Sequence, residues 1–137
     1  MDAHLRQAYE ATCYEVEGFS QPICIGKTSP DADDVLKRIV AASWAFITAY
    51  NPGSAQLPTQ ENEMRNAALR LALRQYYVLN GIGRGVDGNW PPEPSFWVAG
   101  ISLSDAIALA EEYGQNAIVF GRPGGVAQLV MTQHWKS

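Results

Sequence analysis

Polar residues sit next to the ends of apolar elements in four places: Tyr50 and Asn51 ahead of Pro52-Gly53, the set Asn62, Arg65 and Asn66, Glu93 between two prolines, and Gln115-Asn116 after Gly114. Amide side chains both donate and accept hydrogen bonds, so an amide-rich set with one carboxylate and one guanidinium suits recognition of a polar small molecule or a peptide better than nucleophilic chemistry. The only histidines are His4 and His134, both near the chain ends. That argues against a serine or cysteine nucleophile served by histidine, and against a histidine-bearing zinc site. No metal and no cofactor is expected. If the chain is an enzyme, Glu93 is the candidate general acid or base, with Tyr50 or Asn51 orienting the substrate. A structural reading stands beside both: the asparagines and the glutamate satisfy loop backbone groups and fix the turns.

The element that must position these residues is the run from Trp44 to Asn51. Read as a strand, it directs Trp44, Phe46, Thr48 and Tyr50 to one face and Ala45, Ile47, Ala49 and Asn51 to the other. Both faces are largely apolar, which predicts an interior strand, and the small Ala45 and Ala49 leave room for a helix on their side. Pro52-Gly53 ends the run and leaves Tyr50 and Asn51 at the carboxyl end of the strand.

A loop from Ser54 to Pro58 then leads to a helix capped by Thr59 and running to about Gln75. Met64, Ala67, Ala68 and Leu71, widened by Leu69 and Leu73, form its expected buried stripe. Asn62, Asn66, Arg70 and Arg74 recur at intervals of four on another face, and Glu61 has the spacing to pair with Arg65. Charge placement suits the helix dipole, so a solvated face is the simple reading of the arginines. Asparagine is a mediocre helix former, and its presence asks for another reason.

Around this centre the remaining elements can be placed in order. Residues 2–10 suit a short helix with Leu5, Tyr9 and His4, and residues 12–17 and 22–27 a hairpin turning at Gly18-Phe19. That hairpin sets Cys13 roughly opposite Cys24, as reduced core thiols. Ser29-Pro30-Asp31 starts a helix with Val35, Leu36, Ile39 and Val40 as its buried stripe, and its acidic cluster complements the dipole without any metal. Strands are expected at Tyr76–Leu79 and Ser95–Ile101, joined by the glycine-rich run Gly81 to Trp90. That run resembles a phosphate loop only in spacing, because Pro91-Pro92-Glu93-Pro94 cannot promptly open the helix such a loop requires; a mobile connection or flap is expected instead. A helix capped by Ser102 and closed by Gly114 follows, and a hairpin turning at Pro123-Gly124-Gly125 completes the pattern.

With 137 residues, 47% hydrophobic and 18% charged, the chain fits a single domain, residues 1–137, with a substantial core. A net charge of −4 opposes general affinity for nucleic acid, although Arg65, Arg70, Arg74 and Arg84 with Trp90 would be the residues to serve it. No apolar run approaches the ~20 residues of a membrane helix, and Met1-Asp2-Ala3-His4 lacks the basic start of a leader, so a cytoplasmic location is expected.

Four blocks resemble the bacterial domain-of-unknown-function family DUF3293: Phe46 to Ser54, Glu61-Asn62-Glu63-Met64-Arg65-Asn66, Glu93-Pro94-Ser95-Phe96, and Tyr113 to Ile118. The resemblance covers about residues 44–121 and implies relatedness without an established activity. The expected architecture is α+β: a short helix, then ββαβαββαββ, forming a mixed, mainly antiparallel sheet with three main helices packed on it. The functional expectation is a non-catalytic binding or protein-interaction module whose site draws on Tyr50, Asn51, Asn62, Arg65, Asn66, Glu93, Gln115 and Asn116. Its partner would be an unidentified polar small molecule or protein, and the alternative is a small enzyme using Glu93.

Overall fold

Alternation along Trp44–Ile47 divides the interior into two cores. Trp44 and Phe46 belong to one, Ala45 and Ile47 to the other, and all of them are buried, as a strand covered on both faces requires. The computed structural model describes residues 3–84 and 91–133. The side chain of Leu5, residues 85–90 of the glycine-rich run with Trp90, and His134 and Trp135 lie outside the described residues.

The elements follow the expected order. They are α1 (Ala3–Ala11), β1 (Cys13–Val16), β2 (Ile23–Cys24), α2 (Pro30–Ile39), β3 (Trp44–Ile47), α3 (Thr59–Ala72), β4 (Tyr77–Arg84), β5 (Glu93–Ala99), α4 (Leu103–Glu112), β6 (Ala117–Gly121) and β7 (Gln128–Met131), with a 3-10 turn at Pro52–Ser54. The strands form one seven-stranded sheet in the order β2-β1-β4-β5-β3-β6-β7, and each strand pairing is antiparallel. The expected mixed character is confined to an isolated parallel bridge between Ile25 and Ala127. There the Gly26 amide donates to the Ala127 carbonyl at 2.8 Å and the Ala127 amide to Lys27 at 2.9 Å. These bonds tie the segment after β2 to the segment before β7, so the twisted sheet curls until its ends approach. That approach also covers part of two edges.

Ala32, Val35 and Leu36 of α2 share a core with Tyr14, Val16, Ile23, Trp44, Phe46, Trp97 and Val119. Side chains from so much of the sheet's width place α2 on the concave side. On the other face, Leu69 and Leu73 from the α3 segment and Ala106 and Ala110 of α4 pack on Ala45, Ile47, Phe96, Val98, Ile118 and Phe120. The small Ala45 and Ala49 lie on this helix-covered side, as their size implied.

Local signals work as the residue types demand. The Ser29 hydroxyl accepts from the Ala32 amide at 3.2 Å, with Pro30 at the first helical position. Asp31 accepts from Ser20 and Gln21, and Asp33 from the Gly124 amide, so two of the cluster's carboxylates hold neighbouring loops. Among the described residues no group of His, Cys, Asp or Glu is arranged to hold a metal ion, and no helix is long and apolar enough to cross a membrane. Cys13 pairs with Cys24 in the β1–β2 register, their sulfurs 3.8 Å apart, as half-buried free thiols. Val40 departs from expectation. It takes a left-handed C-cap conformation with φ 56°, donates its amide to Leu36, and is 91% exposed instead of completing the α2 stripe.

Two glycines in the sheet make room for aromatic rings. A Cβ at Gly81 would lie 2.5 Å from the Phe46 ring and 2.8 Å from the Glu15 carbonyl, and one at Gly121 would lie 2.5 Å from Trp44. Gly81→Ala and Gly121→Ala should each lower stability by about 1–3 kcal/mol through overpacking, read as a lower urea midpoint at unchanged m-value. Burial, with Cys24 beside it, pushes the Cys13 thiol up from its ordinary value. Its alkylation by iodoacetamide at pH 8 should therefore be slower than that of free cysteine and rise with pH, because the thiolate is the nucleophile.

Candidate functional site

β3 ends at Ile47, earlier than the alternation suggested, because the chain there leaves neighbours that themselves continue: Phe46 is its last residue paired with β6 and Ile47 its last paired with β5, while β5 runs on to Glu93 and β6 to Ala117. Thr48 to Asn51 continue beyond the ladder, and their peptide groups need other partners. The Ala49 amide donates to Asn66 Oδ1 and the Asn51 amide to Asn62 Oδ1, each at 2.8 Å. The Tyr50 amide turns to Thr48 Oγ1 at 3.1 Å. Two asparagines one helical turn apart on α3 thus take over from the missing ladder bonds.

Their other atoms are engaged as well. Asn66 Nδ2 donates to the Pro94 carbonyl at 2.8 Å, where Thr48 Oγ1 also donates at 2.8 Å. Asn62 Nδ2 donates to Asn51 Oδ1 at 2.7 Å and to the Leu57 carbonyl at 3.3 Å, while the Leu57 amide donates to Asn51 Oδ1 at 3.0 Å. Asn51 Nδ2 donates to Glu93 Oε2 at 2.9 Å. Asn51 itself has φ 46°, a left-handed conformation that asparagine tolerates better than most residues. Gly53 and Ser54 follow at φ 63° and 66°, so a short left-handed stretch closes the turn.

The remaining candidates bind the same loop through its carbonyl groups and the exit of α4. Arg65 Nε donates to the Ala49 carbonyl at 2.9 Å and its Nη2 to the Tyr113 carbonyl. Gln115 Nε2 donates to the Tyr50 carbonyl at 3.0 Å, and the Gly53 amide donates to Gly114 at 2.7 Å. Asn116 Nδ2 reaches the Tyr9 hydroxyl at 3.2 Å, which lies 2.8 Å from Ser54 Oγ. Every candidate residue named from the sequence therefore lies in or against one hydrogen-bonded hub around residues 48–57. Burial pushes the half-buried Tyr50 hydroxyl above its ordinary pKa, reinforced by the Glu63 and Glu93 carboxylates. It is a neutral phenol at pH 7.

Several details differ from the sequence reading. Glu93 is the first residue of β5, opposite Gly83, instead of preceding the strand. Tyr50 and Asn51 lie past the end of β3. Pro58, not Thr59, occupies the N-cap of α3 and its side chain makes no capping bond; α3 ends at Ala72. Arg65 holds two backbone carbonyls in place of the expected bridge to Glu61. Most consequential is the inversion of α3. Asn62 and Asn66 are 3% and 7% exposed, beside buried Leu69 and Leu73, whereas Met64 and Leu71 are 68% and 64% exposed and Ala67 and Ala68 are also outside. The helix turns its amides inward because the exit of β3 has unpaired backbone groups there.

Sequence reasoning missed Thr48 and Thr132 as members of the hub. Thr48 reads as an ordinary strand position, and Thr132 donates from its hydroxyl to Gln115 at 2.6 Å, a contact without local signal. It also missed an open groove of about 450 Å³ lined by Arg6, Glu10, Ile25, Gly26 and residues 126–130, away from the hub.

Fold and hub define a single-domain α+β protein built on a curled antiparallel sheet, with a loop locked by amide side chains. The family model for a protein of unknown function, DUF3293, matches residues 47–118, and the chain belongs to this family. The matched span begins at the last residue of β3 and contains all the candidate side chains. No curated protein and no solved structure matches the chain.

Asn66→Ala should lower unfolding free energy by about 2–3 kcal/mol, since it strips a buried amide of its acceptor and Pro94 of a donor. Met64→Ala, on the exposed face of the same helix, should change it by no more than about 0.5 kcal/mol. Equal effects in urea titrations would disprove the substitution of side chain for strand.

Proposed function

We propose that the chain is a non-catalytic binding module whose recognition surface is the Tyr50–Leu57 loop together with Glu93. The supporting observation is the contact between Asn51 Nδ2 and Glu93 Oε2, at the centre of a hub that fixes the loop's backbone before any partner arrives. A surface held in this way loses little conformational freedom on binding, which favours affinity. Tyr50 adds an aromatic face and a neutral hydroxyl, and Glu93 adds a carboxylate acceptor. The fitting ligand is polar, rich in hydrogen-bond donors, and either a small molecule or a peptide segment.

The carboxamides of Asn51, Asn62 and Asn66 and the guanidinium of Arg65 are engaged with the protein's own groups, which suits a positioned binding surface better than a reaction centre. A second reading keeps Glu93 as a general acid or base, because Asn51 fixes the orientation of its carboxylate. It requires turnover that disappears in Glu93→Gln while ligand binding persists.

A thermal-shift screen against nucleotides, amino acids, sugars and short peptides tests the binding reading. A ligand at about 100 times its dissociation constant should add about 2.7 kcal/mol, a shift of several degrees. Glu93→Gln and Tyr50→Phe should each reduce that shift. A response unchanged in both variants, or none to any compound class, would remove the support for this surface.

A further inference from the structure

The inversion of α3 leaves an apolar strip on its outer face. Met64 and Leu71 stand one heptad apart, with Ala67 and Ala68 between them, all exposed. Positions 64, 67, 68 and 71 recur at spacings of three and four, so they form one stripe, opposite the buried Asn62, Asn66 and Leu69. Alanines at the centre of such a stripe let a second helix approach closely, and the larger Met64 and Leu71 sit symmetrically on either side.

The exposed charges of this segment are segregated along it. Glu61 and Glu63 lie at its amino-terminal end and Arg70 and Arg74 at its carboxyl-terminal end, all four at the surface. We propose that this face binds the same face of a second copy of the chain, with the two α3 helices antiparallel about a two-fold axis between Ala67 and Ala68. About that axis Met64 meets Leu71 of the second copy and Ala67 meets its Ala68. Glu63 and Arg70 fall on one flank of the helix and approach each other across the same axis. A parallel pairing would set carboxylates against carboxylates and arginines against arginines. The charge pattern thus selects both the occupant and its direction, and a two-fold contact needs such a self-complementary patch.

A contact between single helices of this length is small, so the dimer is weak and reversible. Sedimentation velocity of the whole chain between about 10 μM and about 1 mM should show the weight-average coefficient rising towards that of a dimer. Leu71→Glu should stay monomeric across that range with an unchanged thermal midpoint, since the side chain is exposed. Added salt should weaken the antiparallel dimer, whereas a parallel one would be strengthened. Arg70→Glu with Arg74→Glu should raise the dissociation constant by at least about tenfold, as should Glu61→Lys with Glu63→Lys, and an equimolar mixture of these two variants should associate again. A wild-type chain that is monomeric throughout, a dimer that survives Leu71→Glu, or a doubly substituted arginine variant that pairs as well as wild type would each overturn the proposal.

Discussion

The structure depends on backbone groups that have left the sheet without reaching water. Beyond Ile47 the chain pairs with neither β5 nor β6, yet Ala49 and Asn51 are buried. An amide left unsatisfied there would cost about 1–3 kcal/mol. The Asn62 and Asn66 carboxamides remove that cost by presenting acceptors at the spacing of one helical turn, 2.8 Å from the amides they serve. The rest of the hub follows. An asparagine that accepts from one segment still has two protons to place, and here they go to Pro94, Leu57 and Asn51, so the α3 amides stitch the exit of β3 to β5 and to the loop that leads into α3 itself.

Arg65 extends the same logic across the helical layer. Its guanidinium sits between the Ala49 carbonyl and the Tyr113 carbonyl just after α4, and charged donors make the stronger hydrogen bonds. A helix carboxyl terminus is also where a cation is favoured. Gly114 then brings the loop against the α4 exit: its positive φ of 71° suits glycine, and a Cβ there would lie 2.8 Å from Pro52. The loop therefore belongs to the packed interior as much as to the surface.

Much of the fold was legible because it rests on short-range chemistry. Alternation at Trp44–Ile47, the Ser29-Pro30 helix start, the opposition of Cys13 and Cys24 and the order of the elements each follow from period, cap or turn residues within a few positions. The convergence of Tyr50, Asn51, Asn62, Arg65, Asn66, Glu93, Gln115 and Asn116 was also readable, as polar residues at the ends of apolar elements. Which face of α3 points inward was not. Met64, Ala67, Ala68 and Leu71 make an acceptable apolar stripe by themselves, and nothing local shows that the peptide groups at 49 and 51, on another element, lack partners. Periodicity measures how apolar a face is; it has no access to the hydrogen bonds that a distant strand leaves unmade. Val40 failed for a related reason, since its position in the stripe was outweighed by the helix ending one residue earlier.

That inversion makes the outer face of α3 a separate problem from folding. An amphipathic helix ordinarily gains its place by burying its apolar stripe, but α3 buries Leu69 and Leu73 with two asparagines and leaves Met64 and Leu71 in solvent. The chain's own core gains nothing from those exposed side chains, so their spacing needs an explanation outside the monomer, whereas the acidic-to-basic run of charges beside them also suits the helix dipole. Asn62, Arg65 and Asn66 also join this helix to the 48–57 loop through direct hydrogen bonds. A tilt or slide of α3 would break those bonds, which makes its outer face and the loop parts of one rigid body. If a contact on the outer face favours one position of α3, the same preference is imposed on the loop, and binding at the loop must act back on the contact by an equal free energy.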